Sequence, residues 1–197
     1  MKWLHREIML SSTYQQSSDP SPAAVKIDGD NRLVSHQNRR RLEAEAFRDN
    51  LLAVAGQLDG KRGGPADRDP ATRRRGVYVV TIRSDRSTVA ALFDQADSTA
   101  PVDRRVESTV APQALYLLNH PFVAEQASAL AKRLLDGPGD DRERIARAYA
   151  ILYGRPPTAE ERAVGLSSTR AGGSDRPEAW SAYCQVLLCA NEFLYID

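Results

Sequence analysis

The chain predicts a mainly α fold, an irregular bundle of six or seven helices with one or two short strands. Three observations predict it. Residues 36–60 are the longest run free of proline and internal breakers, and they are rich in Leu, Ala, Glu, Gln and Arg. The later apolar segments are cut into helix-sized pieces by Pro, Gly and Asn clusters. Only VYVVTIR (77–83) is β-branched and aromatic enough to read as a strand.

In chain order, residues 2–16 predict a short helix with Trp3, Leu4 and Ile8 turned inward, ended by SSDPSP. The long helix follows, up to the glycines at 60–64. At 100° per residue, Phe47, Leu51, Val54 and Leu58 share one stripe, while Leu42 and Leu52 lie opposite, near Glu45 and Asp49. Apolar on more than one side, this helix carries charges within its expected buried surface, and those charges need partners. Residues 61–76 read as a mobile surface segment or as the scar of a deletion or insertion. The lone strand at 77–83 needs a partner, expected in 89–93, in 102–106 or outside the chain. Residues 94–103 are loop by composition. A helix capped by Ser108 or Thr109, with Pro112 in its first turn, runs to Asn119, and a second helix runs from Pro121 to Leu135. Residues 142–153 turn Ile145, Ala148, Tyr149 and Leu152 inward. Thr158 and Glu161 form a capping box, and the last helix, 178–190, presents Trp180, Tyr183, Leu187 and Leu188. The expected organisation is a core over 1–135 with the long helix, strand and charged loop. Residues 136–197 form a C-terminal helical segment on that core, the whole being one domain of a larger protein.

Composition excludes several classes. With 197 residues, 42 % hydrophobic and 27 % charged, the chain can bury a real core. The balance of 27 Lys+Arg against 26 Asp+Glu leaves no global field to steer it to nucleic acid. Nearly all cations are Arg, which suits internal ion pairing, although a GC-rich genome gives the same bias. Cys184 and Cys189 point to different faces of one helix. Without CxxC or CxxCH spacing, neither a metal site nor attached haem is expected. No apolar run is long enough to span a membrane, and MKWLHREIMLSS lacks the apolar core of a signal peptide, reading instead like the middle of a fold.

Residues able to carry chemistry are few. Arg39, Arg40 and Arg41 would want more basic or aromatic neighbours for an anion site; pairing of Arg39 with Glu43, or Arg41 with Glu45, one helical turn on, is the preferred reading. Glu43, Glu45 and Asp49 could supply acid/base chemistry, but no histidine accompanies them. Asp94, Asp97, Asp103, Arg104, Arg105 and Glu107 form a second charged stretch. It reads better as a strap whose arginines satisfy the carboxylates of the long helix than as an ion site. The expected structural network is therefore Arg40, Glu43, Arg104 and Arg105, with Glu45, Asp49, Asp94 and Asp97 as the weaker catalytic candidates. His5, His36 and His120 flank helix ends or breakers and suit capping or packing. Trp180, Tyr183, Phe193 and Tyr195 suit a core.

Five segments in this order carry a resemblance: LHREIMLSSTYQQSS, NRRRLEAEAFRDNLLAVAGQLD, LFDQADSTAPVDRRVESTVAPQALYLLNHPFVAEQA, LYGRPPTAEE and NEFLYID. Together they resemble the C-terminal domain of unknown function in large planctomycete-type proteins that carry a cytochrome-c-like domain upstream. The resemblance implies an exported or cell-surface parent, with haem confined to a separate domain bearing its own CxxCH, and upstream domains as partners. It transfers no catalytic residues and no cofactor to this chain. The expected role is a non-catalytic helical module packed against neighbouring domains. The alternative is a carboxylate-based hydrolase or carbohydrate-acting domain using residues of 43–49 with Asp94 and Asp97. Nucleic-acid binding would rest only on Arg39, Arg40, Arg41 and the arginines at 73–75, and is not expected.

Overall fold

The computed structural model describes residues 1–82, 89–96, 101, 103–170 and 176–196. Its helices are α1 (Lys2–Met9), α2 (Pro22–Ile27), α3 (Ala44–Val54), α4 (Val89–Leu92), α5 (Ala111–Asn119), α6 (Pro121–Leu135), α7 (Asp141–Tyr153), α8 (Ala159–Arg170), α9 (Arg176–Leu188) and α10 (Asn191–Leu194). Two short strands, β1 (Arg40–Arg41) and β2 (Tyr195–Ile196), pair antiparallel with Arg40 opposite Ile196 and Arg41 opposite Tyr195. The fold is mainly α, with α4 and α10 adding short turns to the longer helices. The chain divides into two compact units, residues 1–41 with 195–197, and residues 42–194.

In the first unit, Ser21 caps α2 by accepting from the Ala24 N–H, with Pro22 supplying a first position already set for helix. The buried Asn31 organises the turn that follows. Its side chain donates to the His36 carbonyl at 2.8 Å and accepts from the Ser35 N–H at 2.8 Å. That turn and the β1–β2 pairing explain why the long helix does not begin at residue 36: 40–41 take ladder hydrogen bonds, and α3 starts at Ala44 with Glu43 in the N-cap position. Tertiary pairing overrides local propensity here. α1 also departs from expectation, because none of its residues is buried; Trp3 is 72 % exposed and Leu4 and Ile8 about half.

The second unit holds the core. α6 packs chiefly on α9, with α8 on α9 and α7 on α8. Val123, Ala127, Leu130, Ala131 and Leu134 follow helical spacing along α6, and the two alanines let the α9 face of Trp180, Tyr183, Cys184, Leu187 and Leu188 approach closely. Each fully buried leucine or valine contributes about 2 kcal/mol. Ile145, Ala148 and Tyr149 are buried and Leu152 half-buried, as α7's periodicity predicts. The Thr158–Glu161 capping box forms in both directions, 3.2 Å and 2.7 Å. Trp180, Tyr183 and Phe193 join the core, whereas Tyr195 lies half-buried in β2.

α3 brings Phe47, Leu51, Leu52 and Val54 into burial, so it is apolar on two sides. It ends at Gly56, whose φ of +72° is the left-handed region a glycine enters at little cost, and not at the later glycine cluster. Arg133 of α6 donates to the Val54 carbonyl at 2.8 Å, satisfying an acceptor the helix end leaves open.

Residues 77–82 are not a strand. Gly76–Tyr78 form a 3-10 turn, and Val79 meets Asp67 in an isolated bridge flanked by Asp67 N–H to Tyr78 O (2.7 Å) and Val80 N–H to Asp67 O (2.8 Å). Among the described residues a single loop residue pairs with this segment, and the β-branched run finds no ladder to extend; Arg83, the last of the expected strand, lies outside them. The expected partner at 89–93 is helical instead, because 89–92 form α4.

Candidate functional site

α3 carries Glu45, Arg48 and Asp49 around Leu52, on the side opposite Phe47 and Val54, where two connecting segments lie across it. Glu45, in the first turn, receives the Arg105 guanidinium: one nitrogen donates to Oε2 at 2.7 Å, another to Oε1 at 3.2 Å. Glu43 stands farther from the same guanidinium, at 3.6 Å, and is half exposed. Burial works to raise the Glu45 carboxyl, but the Arg105 hydrogen bonds, a backbone N–H and the Arg105 charge outweigh it and hold the group below its ordinary value. Arg105 is correspondingly held above its own, chiefly by the hydrogen bonds to Glu45.

One turn on, Arg48 reaches the other segment. It donates to the carbonyls of Arg74 (2.9 Å), Pro70 (3.3 Å) and Thr72, while its neighbour Asp49 accepts from the Gly76 N–H at 2.7 Å. Gly76 can lie this flat on α3 because a Cβ there would stand 3.3 Å from the Glu45 Cβ. Arg74 in turn donates to the Gly63 and Pro65 carbonyls and lies 4.2 Å from the centre of the Tyr78 ring. Residues 61–76, expected as a mobile surface segment, are therefore a loop stapled to α3. Arginines satisfying carbonyls hold it, which its polar, glycine-rich composition does not reveal.

Asp94 belongs to a separate knot. With φ of +60°, its carboxylate accepts from the Ser108 N–H and hydroxyl, both at 2.8 Å. The buried Gln113 donates to the Leu92 carbonyl at 2.9 Å and the Ser108 carbonyl at 3.2 Å, and accepts from the Val110 N–H. Ser108 is thus a tie, and Val110 takes the α5 cap position expected of Ser108 or Thr109. Asp97 lies outside the described residues. Arg104, Asp103 and Glu107 are exposed, and Arg40 is exposed in β1. Arg39 pairs with Asp19 at 2.8 Å instead of Glu43, since β1 and not helix follows it.

Sequence reasoning missed a third node. Arg155, between α7 and α8, donates to Glu161 at 2.8 and 2.7 Å and to Glu192 of α10 at 2.6 and 2.7 Å, with its guanidinium 5.3 Å from the Tyr149 ring centre. The Arg155 hydrogen bonds pull the Glu161 carboxyl down to about 2. The signal available was the arginine that opens RPPTAEE; its second partner, 37 residues on, had none.

Chemically, these carboxylates are occupied. Glu45, Asp49, Asp94, Glu161 and Glu192 each accept from an arginine, a hydroxyl or a backbone N–H. His120 and His36 are likewise in structural positions, whereas His5 is exposed on α1. His120 stacks on Tyr116 at 4.3 Å and accepts from the Phe122 N–H at the start of α6, and His36 lies 3.1 Å from the Ser35 hydroxyl. Burial pushes the Cys184 thiol up to about 12, away from the thiolate a nucleophile requires. Among the described residues, no group of three or more His, Cys, Asp or Glu is placed to hold a metal ion, and no helix is long and apolar enough to cross a membrane.

No curated protein matches this chain, and no solved structure does. A family model, described as PSD1, protein of unknown function (DUF1553), matches residues 1–168. That span takes in α3, both segments tied to it and the Arg155–Glu161 pair, and the chain belongs to this PSD1 family.

Proposed function

We propose that the chain is a non-catalytic helical module that packs against neighbouring domains of an exported, cytochrome-c-associated multidomain protein. The observation that carries this reading is α1. A helix with Trp3 72 %, Leu4 47 %, Ile8 50 % and Met9 55 % exposed presents a run of large apolar side chains that water disfavours and another surface would cover. The engaged carboxylates support the non-catalytic half. A general base needs a free lone pair aimed at a substrate, and Glu45 directs both oxygens at Arg105. The hydrolase alternative required an open pocket at that point.

The test compares this chain with a longer polypeptide that includes its upstream domains. Acrylamide quenching separates the exposed Trp3 from Trp180, which is fully buried. Trp3 is expected to be quenched freely in this chain and to be shielded, with blue-shifted emission, in the longer one. Equal quenching of Trp3 in both would remove the support for packing through α1.

A further inference from the structure

Charge is unevenly distributed along this chain. Residues 61–76 hold six cations and two carboxylates, leaving 21 cations against 24 carboxylates elsewhere. A basic loop thus stands on an otherwise slightly acidic protein. Both of its acids are turned into the loop: Asp67 accepts from the Asp69 N–H at 3.0 Å and Asp69 from the Ala71 N–H at 2.8 Å. Arg74 is taken up by carbonyls, and Arg75 leans toward Asp49 at 3.7 Å. Lys61, Arg62, Arg68 and Arg73 are exposed, and none of them makes an ion pair among the described residues. Arg48 and Asp49 hold the frame beneath them, so the ordering entropy that usually weakens binding by a flexible basic tail is met in advance.

We propose that this stapled loop is a docking surface for an acidic polysaccharide, read through its sulfate or carboxylate groups. The composition of the loop selects that class. Arginine forks match planar or tetrahedral anions bidentately. Nucleic-acid strands call for free aromatic faces, yet the loop has none and the adjacent Tyr78 ring is covered by Arg74. The loop has no α-helix to enter a groove; its end is the 3-10 turn Gly76–Tyr78. A protein partner calls for large apolar anchors, and residues 61–76 offer only Gly, Pro, Ala and Thr besides the charges. A charged, flexible sugar polymer needs neither.

The test is affinity chromatography and titration of the whole chain with heparin, which is sulfated, and polygalacturonate, which is carboxylated, starting from about 50 mM salt. Retention on at least one is expected, falling with salt, and the two columns tell sulfate from carboxylate. A variant combining Lys61→Gln, Arg62→Gln, Arg68→Gln and Arg73→Gln should bind at least about tenfold more weakly with an unchanged melting temperature. A control neutralising the exposed Arg6, Arg32, Arg104 and Arg142 should bind as the parent does. If the loop variant folds poorly, protection of Arg62, Arg68 and Arg73 from phenylglyoxal by the polysaccharide gives the same answer on the parent chain. The proposal is overturned by no retention on either column or by equal losses in both variants. Tighter loop-dependent binding of single-stranded DNA or poly-glutamate also overturns it.

Discussion

Replacing Arg105 by alanine isolates the brace on α3. The guanidinium makes two charge-assisted hydrogen bonds to Glu45, and each side chain is about one third exposed, 32 % and 33 %. Fully exposed pairs contribute about 0.2–1 kcal/mol and hydrogen bonds to charged groups about 1.5–3 kcal/mol. Partial exposure places this pair between them, at about 1 kcal/mol of coupling. Removal of Arg105 also leaves Glu45 partly desolvated without its partner, so Arg105→Ala should cost about 1–2 kcal/mol. For a protein of this size that lowers the melting temperature by roughly 2–8 °C. Arg104→Ala, one residue away and exposed, should stay within about 0.5 kcal/mol. Because folding lowers the Glu45 carboxyl, the contribution is complete above the ordinary carboxyl range and is lost as pH falls through the lowered value. The assay is urea denaturation of the parent, Arg105→Ala, Glu45→Gln and the double variant at pH 7 and pH 3. A coupling below about 0.3 kcal/mol at pH 7, or equal costs for Arg104→Ala and Arg105→Ala, would refute the reasoning.

Three further outcomes follow from the same geometry. Arg48→Lys cannot reach three carbonyls with one ammonium, so amide exchange and proteolysis across 61–76 should rise at a cost of about 1–2 kcal/mol; unchanged exchange there would deny Arg48 its role as staple. Gly165→Ala ordinarily gains about 1 kcal/mol in a helix, yet its Cβ would meet the Tyr183 hydroxyl at 2.6 Å and the Ile145 Cδ1 at 3.0 Å. Overpacking should win, giving a net loss of about 1–2 kcal/mol by thermal melting, and a stabilised variant would show that α8 shifts freely. Glu161→Gln should lower stability at neutral pH. Since Arg155 holds the Glu161 carboxyl at about 2, the gap between parent and variant should persist below the ordinary carboxyl range and close as pH approaches 2; a gap that closed by pH 4 would contradict the assigned cause. That pair is about one third exposed, so solvent screening keeps the gap small.

Much of the fold was legible along the chain because its determinants are local. The α7 stripe, the Thr158–Glu161 box, proline at the start of α6 and the Trp180–Leu188 face depend on residues three or four apart, and helix geometry alone brings these together. The need for partners near Glu45 was equally readable from charges flanked by Leu42 and Leu52. Tertiary structure alone decided which partners came. Arg105 lies 60 residues from Glu45, and the carbonyls on Arg48 lie 22 to 26 residues away. No spacing rule links such groups; the fold of the intervening chain does. The same cause shortened the long helix, since 40–41 pair with 195–196 from the far end of the sequence, and tied residues 61–76 to α3. Helical periodicity is a property of neighbours, whereas a brace, a ladder and a staple are properties of distant segments that meet only once the chain has folded.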